Sequence, residues 1–228
     1  MNHFGKKNFL GTFAPPYAVL NDSDFLSTLN ERNWRSGISE AIKVALIKDA
    51  SFFDWIELHT AALSNRDVEV METLIIRCAA LHTEHISKHG DPFEKGSSRP
   101  LDFGHWAAHK LEQLTNYQVT HGEAVAIGIA LDVTYSFLAQ KIDQSSLERI
   151  LKCFLALGFA ITHPVLEQHL EEVLKGLDEF REHLGGQLTI MLLSEIGEGE
   201  EVHSLNNELI AESVQYLSSF CLLNLETC

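Results

Sequence analysis

The sequence predicts a mainly α-helical fold with a few short strands, and three observations carry that expectation. Apolar residues recur at three- and four-residue spacing over most of the chain, which gathers them on one face of a helix. Only two stretches, Tyr17 to Leu20 and QLTIMLL at 187–193, read as strands. No repeat, low-complexity tract or long linker divides the 228 residues, so the helices belong to one domain of ordinary size.

Residues 1–24 read as an irregular arm, because Gly5, Gly11, the Pro15-Pro16 pair and Asn21-Asp22 interrupt its short apolar pieces. The helical domain is expected over 25–228. Ser36 and Ser39 are candidate caps for SEAIKVALIKDA, where Ile38, Ile42, Ala45 and Leu46 form the apolar stripe and leave Glu40 and Lys43 beside it. A shorter helix covers Phe52 to Leu63. A long one follows from Asp67 to His89, with Val68, Met71, Leu74, Ile75, Cys78 and Leu81 on its buried face. The Gly, Pro and Ser of HGDPFEKGSSRP, 89–100, mark a loop.

After Gly104 comes the helix of HWAAHKLEQL, and a turn at Tyr117 to Thr120 leads into HGEAVAIGIALDVTYSFLAQ. Gly122, Ala124, Ala126, Gly128 and Ala130 lie on several faces of that helix and allow close packing by its neighbours. Ser145 to Leu157, Pro164 to Leu174 and Asp178 to Leu184 continue the helical pattern. Gly185-Gly186 breaks it before QLTIMLL, and Asn206 to Leu223 closes the chain with a last helix.

Composition narrows the function. Hydrophobic residues make up 45% and charged residues 21%, as in a folded globular protein. Seventeen Lys and Arg against 32 Asp and Glu give a net charge of −15, which repels phosphate backbones and anionic lipid, so neither nucleic acid nor a membrane is an expected partner. No run reaches the ~18 apolar residues of a membrane span. Cys78, Cys153, Cys221 and Cys228 show neither a CxxC pair nor dense spacing; a reducing, cytoplasmic setting is expected. Histidine, with 12 residues, is the unusual component, being both a common metal ligand and a proton carrier near neutral pH.

His105 and His109 stand four apart in HWAAH, on one helix face, where they could clamp a divalent metal or simply be structural. His121 and Glu123 add an imidazole and a carboxylate at the start of the next helix, where the helix terminus favours neutral imidazole. A catalytic zinc needs about three protein ligands and one open position. Glu40, beside an apolar stripe, is a plausible oxygen ligand; the alternative is an ordinary ion pair with Lys43, and periodicity does not separate the two.

Taken in order, GKKNFLGTF, SGISEAIK, LDFGHWAAHKLE and HGEAVAIGIAL resemble the C-terminal two-thirds of the 3-dehydroquinate synthase family of sugar-phosphate cyclases, over roughly residues 4 to 200. The resemblance implies the multi-helix C-terminal domain of the dehydroquinate synthase-like fold, with zinc or cobalt held by Glu40, His105 and His121. It makes His109 a substrate-facing proton or phosphate contact. It places Lys7, Asn8 and Lys43 toward the substrate, Lys7 also toward the cofactor, and Phe25, Leu26, Ser27 and Thr28 along an NAD site. The implied chemistry is oxidation of a substrate alcohol by NAD, elimination of phosphate, reduction and carbocycle closure, with a phosphorylated sugar-like substrate.

Departures from the family pattern accompany the resemblance. A glycine-rich dinucleotide turn is missing, so the main NAD-binding domain is expected to lie outside this chain, either in a truncated part or in a separate nucleotide-binding chain; a homodimer is the other expected partnership. Asp102 replaces an amide, and an anionic substrate group nearby would need a metal or Arg99 to offset it. His82 stands where shikimate-pathway synthases have lysine, and Arg181, Glu182 and His183 replace a paired-lysine segment. The pattern is most similar to synthase-like members of ebo-type biosynthetic clusters and in part to valiolone-forming cyclases. The alternative from another functional class is a non-catalytic, metal-stabilised helical binding domain that has lost NAD-dependent turnover.

Overall fold

Asn30, rather than Ser36 or Ser39, starts the first long helix: its side chain accepts a hydrogen bond from the Asn33 amide at 2.8 Å, and α1 runs Glu31–Lys48. A computed structural model of the chain describes residues 17–88, 102–183 and 186–223. The helix begins early because Trp34 continues the stripe of Ile38 and Ile42 by one turn. Its ring is buried and its indole N–H donates to the Leu63 carbonyl at 2.9 Å. Ser39 donates instead to the Ser36 carbonyl inside the helix.

The single helix expected over Phe52 to Leu63 is two, α2 (Ala50–Leu58) and α3 (Thr60–Ser64). The chain turns at His59, whose ring stacks on Trp55 with centroids 4.3 Å apart. The long α4 (Val68–Lys88) follows, and α5 (His105–Leu114), α6 (His121–Leu138) and α7 (Gln144–Ala156) fall where periodicity puts them. Pro164 starts a short α8 (Pro164–Gln168), and the break comes at His169 rather than after Leu174, so α9 runs unbroken over Leu170–His183. Gly176 does not interrupt α9; it lets the helix approach α5, where an added Cβ would lie 3.0 Å from that of Lys110.

QLTIMLL forms β1 (Ile190–Glu195), which pairs antiparallel with β2 (Glu198–Val202), Ile190 opposite Val202 and Leu192 opposite Glu200. The acidic EGEEV of β2 carries no strand signal of its own, since Gly and Glu are poor strand formers. It is ordered by the β1 ladder and by the hairpin turn, where the Gly197 amide donates to the Leu46 carbonyl at the end of α1. Tyr17 to Leu20 is not a strand. Those residues are exposed and irregular, as expected of a short segment without a partner strand, and a 3-10 helix at Ser23–Thr28, capped by Asp22, leads toward α1. The chain ends its described part with α10 (Asn207–Leu223).

The core is organised around α6, which is buried from Ala124 to Ser136 and packs against α1, α5, α7, α10 and β1. A helix apolar all round has to be enclosed in this way. Cys153 is buried in this core, and Cys78 and Cys221 pack against it. Among the described residues no helix is long and apolar enough to cross a membrane.

One acid lies inside this core. Asp132 of α6 is 1% exposed, and burial pushes its carboxyl up to about 7 despite hydrogen bonds from the Trp106 indole and the Gly104 amide. A folded-state value above the unfolded one means that the folded protein binds the extra proton. The contribution is therefore complete below the unfolded value of 3.8 and is lost as pH rises through about 7. The stability difference between the parent and Asp132→Asn, from urea midpoints of the metal-free proteins, is expected to shift against the parent as pH rises through that window and to level off above it.

Candidate metal centre

Three helices converge on one point. Glu40 comes from the middle of α1, His105 from the first residue of α5 and His121 from the first residue of α6. Two close helix crossings bring them together. An added Cβ on Gly122 would lie 2.2 Å from the Ser36 carbonyl oxygen, so α6 meets α1 one turn before Glu40. An added Cβ on Gly128 would lie 2.0 Å from the Gly104 carbonyl oxygen, so α6 meets α5 at the residue before His105.

The donor atoms face each other. Glu40 Oε1 lies 3.2 Å from His121 Nε2 and 3.6 Å from His105 Nε2, and all three ligand atoms fall within 4.8 Å of one another. Bonds of about 2.0–2.1 Å in a tetrahedral zinc site put ligand atoms roughly 3.3 Å apart, so the set fits such an ion. The other nitrogen of each imidazole is engaged: His105 Nδ1 donates to the Phe103 carbonyl at 3.0 Å, and His121 Nδ1 lies 3.2 Å from Glu112 Oε2. Both arrangements turn an Nε2 lone pair toward the shared point, the usual second-sphere pattern of metal-binding histidines.

Electrostatics agree with this geometry. Burial, and then the Lys43 charge, lower His105 to about 3, which keeps its ring neutral and able to donate a lone pair. Burial alone would raise the Glu40 carboxyl, but the hydrogen bond with His121 and the Lys43 charge prevail and hold it well below the usual carboxylate range. Lys43, its side chain 5% exposed, sits 2.5 Å from Glu40 Oε2 and so leaves Oε1 to the imidazoles. The two readings of Glu40 thus coexist in one carboxylate, one oxygen in the ion pair and the other facing the histidines.

His109 joins the cluster, with its ring centroid 5.5 Å from that of His105 and 5.9 Å from that of His121. A second grouping of His109, Glu112 and His121 overlaps the first through His121. Glu123 does not join either; it closes the capping box with Thr120 and pairs with Arg32, Oε2 2.5 Å from Nη2. Phe25, Leu26, Ser27 and Thr28 form the 3-10 helix before α1, with Phe25 68% exposed and both hydroxyls hydrogen-bonded within their own turn. At 1.5 Å per residue, Glu40 is roughly 14 Å further along α1 than its first residue. Lys7, Asn8 and Arg99 lie outside the described residues.

Glu112 is the residue that motif reading missed. It is 6% exposed and lies three residues after His109 and seven after His105, so a helical projection of HWAAHKLE would have put all three on one face. Glu112→Gln is expected to weaken zinc affinity roughly ten- to a hundredfold with helical circular dichroism unchanged, measured by competition with a chromophoric chelator.

A helical domain presenting one carboxylate and two imidazoles to a common point has the three-donor set of a carboxylate-histidine metal domain. A family model described as 3-dehydroquinate synthase C-terminal matches residues 37–179, and the chain belongs to this family. The 3-dehydroquinate synthase of Idiomarina loihiensis is 34% identical over 211 residues, covering 92% of this chain and 58% of that protein. That of Halorhodospira halophila is 33% identical, covering 87% of this chain and 55% of its own length. The chain thus spans a little over half the length of these curated relatives. Among solved structures, the 2-epi-5-epi-valiolone synthase of Streptomyces hygroscopicus, with NAD+ and Zn2+ bound, is 28% identical with a TM-score of 0.88 over 96% of this chain and 60% of its own. A 2-deoxy-scyllo-inosose synthase, 22% identical with a TM-score of 0.75 over 94% of this chain and 60% of its own, shares the fold.

Proposed function

We propose that this chain is the metal-binding part of an NAD-dependent sugar-phosphate cyclase, with Glu40, His105 and His121 holding zinc or cobalt. The convergence of those three donors, from positions 40, 105 and 121, is the observation that supports this reading. Held by these three residues, such an ion would supply Lewis-acid polarisation of a substrate hydroxyl. Lys43 keeps Glu40 ionised and orients its free oxygen. His109, beside both imidazoles, is assigned a proton-carrying or phosphate-contacting role. Lys7, Asn8 and Arg99 are assigned to the substrate, and Phe25 to Thr28, with Lys7, to the NAD side. Residues 1–24 are assigned to the junction with an NAD-binding half.

The substrate class is a phosphorylated sugar, and the acidic pair Glu40 and Glu112 makes a substrate with few anionic groups besides its phosphate the better fit. The test combines metal content, NAD titration and phosphate release, using the chain with and without a separately produced NAD-binding half. Zinc at one per chain, with NAD binding and phosphate release when that half is added, supports the cyclase. Zinc binding with persistent absence of both supports the non-catalytic metal-stabilised domain. Failure to bind zinc or cobalt overturns both readings.

A further inference from the structure

Asp132 has no place in the chemistry proposed above, yet burying a carboxylate this completely is costly unless its oxygens are satisfied. Both oxygens are used on the two neighbours of His105. Oδ2 accepts from the Gly104 amide at 2.9 Å, and Oδ1 accepts from the Trp106 indole N–H at 2.8 Å. Gly104 is the N-cap of α5, has no capping side chain of its own and is left-handed at φ 76°. It also lies against Gly128, one turn before Asp132 on α6. The first turn of α5 is therefore held at two points of one α6 face, by backbone contact at Gly128 and by directional hydrogen bonds at Asp132.

We propose that Asp132 is a positioning residue for the metal centre: by bracketing His105 through Gly104 and Trp106, its carboxylate sets the rotation of the first turn of α5 and aims Nε2 of His105 at the point it shares with Glu40 and His121. The assignment rests on the metal-centre reading. A hydrogen-bonded clamp suits this task because a close glycine contact fixes separation but not rotation about the α5 axis. A modest rotation would swing the imidazole away from Glu40 Oε1, which lies 3.6 Å from it.

In assays run above the pH at which Asp132 ionises, Asp132→Asn keeps the shape but offers one acceptor to two donors, while Trp106→Phe keeps the ring and removes one donor. Zinc affinity by chelator competition, the visible spectrum of the cobalt-loaded protein and the urea midpoint of the metal-free protein are measured for both. Leu217→Ala, in the buried face of α10, serves as a control destabilised outside the site. Asp132→Asn is expected to weaken zinc roughly ten- to a hundredfold and to change the cobalt spectrum, Trp106→Phe to do so less, and Leu217→Ala to leave both as in the parent. Zinc affinities of both site variants within twofold of the parent, or losses matched by Leu217→Ala, overturn the assignment while leaving the metal centre standing. No zinc binding by the parent overturns the metal centre and this assignment with it.

Discussion

Glu40→Gln is expected to raise the zinc dissociation constant by roughly two to three decades while the chain remains helical. A structural zinc site contributes about 10–16 kcal/mol, and about four ligands share it, so each carries roughly 2.5–4 kcal/mol. The variant has a second effect. Lys43 is buried and loses the carboxylate that lies 2.5 Å from its ammonium group. Breaking a fully buried pair costs about 3–5 kcal/mol, but the Glu40 side chain is 37% exposed, so solvent screening reduces the expected loss to about 1–2 kcal/mol. Adding Lys43→Met to Glu40→Gln is expected to recover most of that stability and none of the metal affinity. Chelator competition and urea midpoints on the single and double variants read the two effects separately. Recovery of zinc binding in the double variant would contradict the role given to Glu40.

Gly128→Ala is expected, with Gly122→Ala, to be among the most destabilising glycine substitutions at the described residues. The new Cβ would lie 2.0 Å from the Gly104 carbonyl oxygen and 2.9 Å from its carbonyl carbon, both backbone atoms without a rotamer to yield. Overpacking costs about 1–3 kcal/mol where side chains can adjust, and here α5 itself has to move, so a loss above about 3 kcal/mol is expected. The displacement carries His105 away from Glu40 and His121, so zinc affinity falls together with stability. Gly37→Ala is the internal control, because a Cβ there has nothing within 4 Å and α1 gains about 0.5–1 kcal/mol from removing a helical glycine. Urea unfolding of the two variants should therefore move in opposite directions.

Helix count and position followed from local signals where the apolar stripe was long, as in α4 through α7. They failed where a distant contact decided the boundary. The start of α1 depends on the indole of Trp34 reaching the Leu63 carbonyl, 29 residues away, and β2 exists because β1 and the end of α1 hold an acidic segment that would not form a strand unaided. The candidate ligands Glu40, His105 and His121 were legible as residue types in ordered motifs. Glu112 was legible only through helical projection. Asp132 gave no local sign, because a carboxylate among apolar residues of a helix reads as an error in the pattern until its two donors are seen.

The order of the four motifs and the helical periodicity were enough, by themselves, to determine the family, the helical class and the identity of the candidate donors, because such features depend on residue type and spacing along one chain. Tertiary structure alone decided that one oxygen of Glu40 serves Lys43 and the other faces two imidazoles, that Glu123 turns away to Arg32, and that Asp132 brackets His105. Those outcomes depend on how closely α1 and α5 approach α6. Backbone contacts at Gly122 and Gly128 set that approach, between residues too far apart in the chain for any local pattern to register.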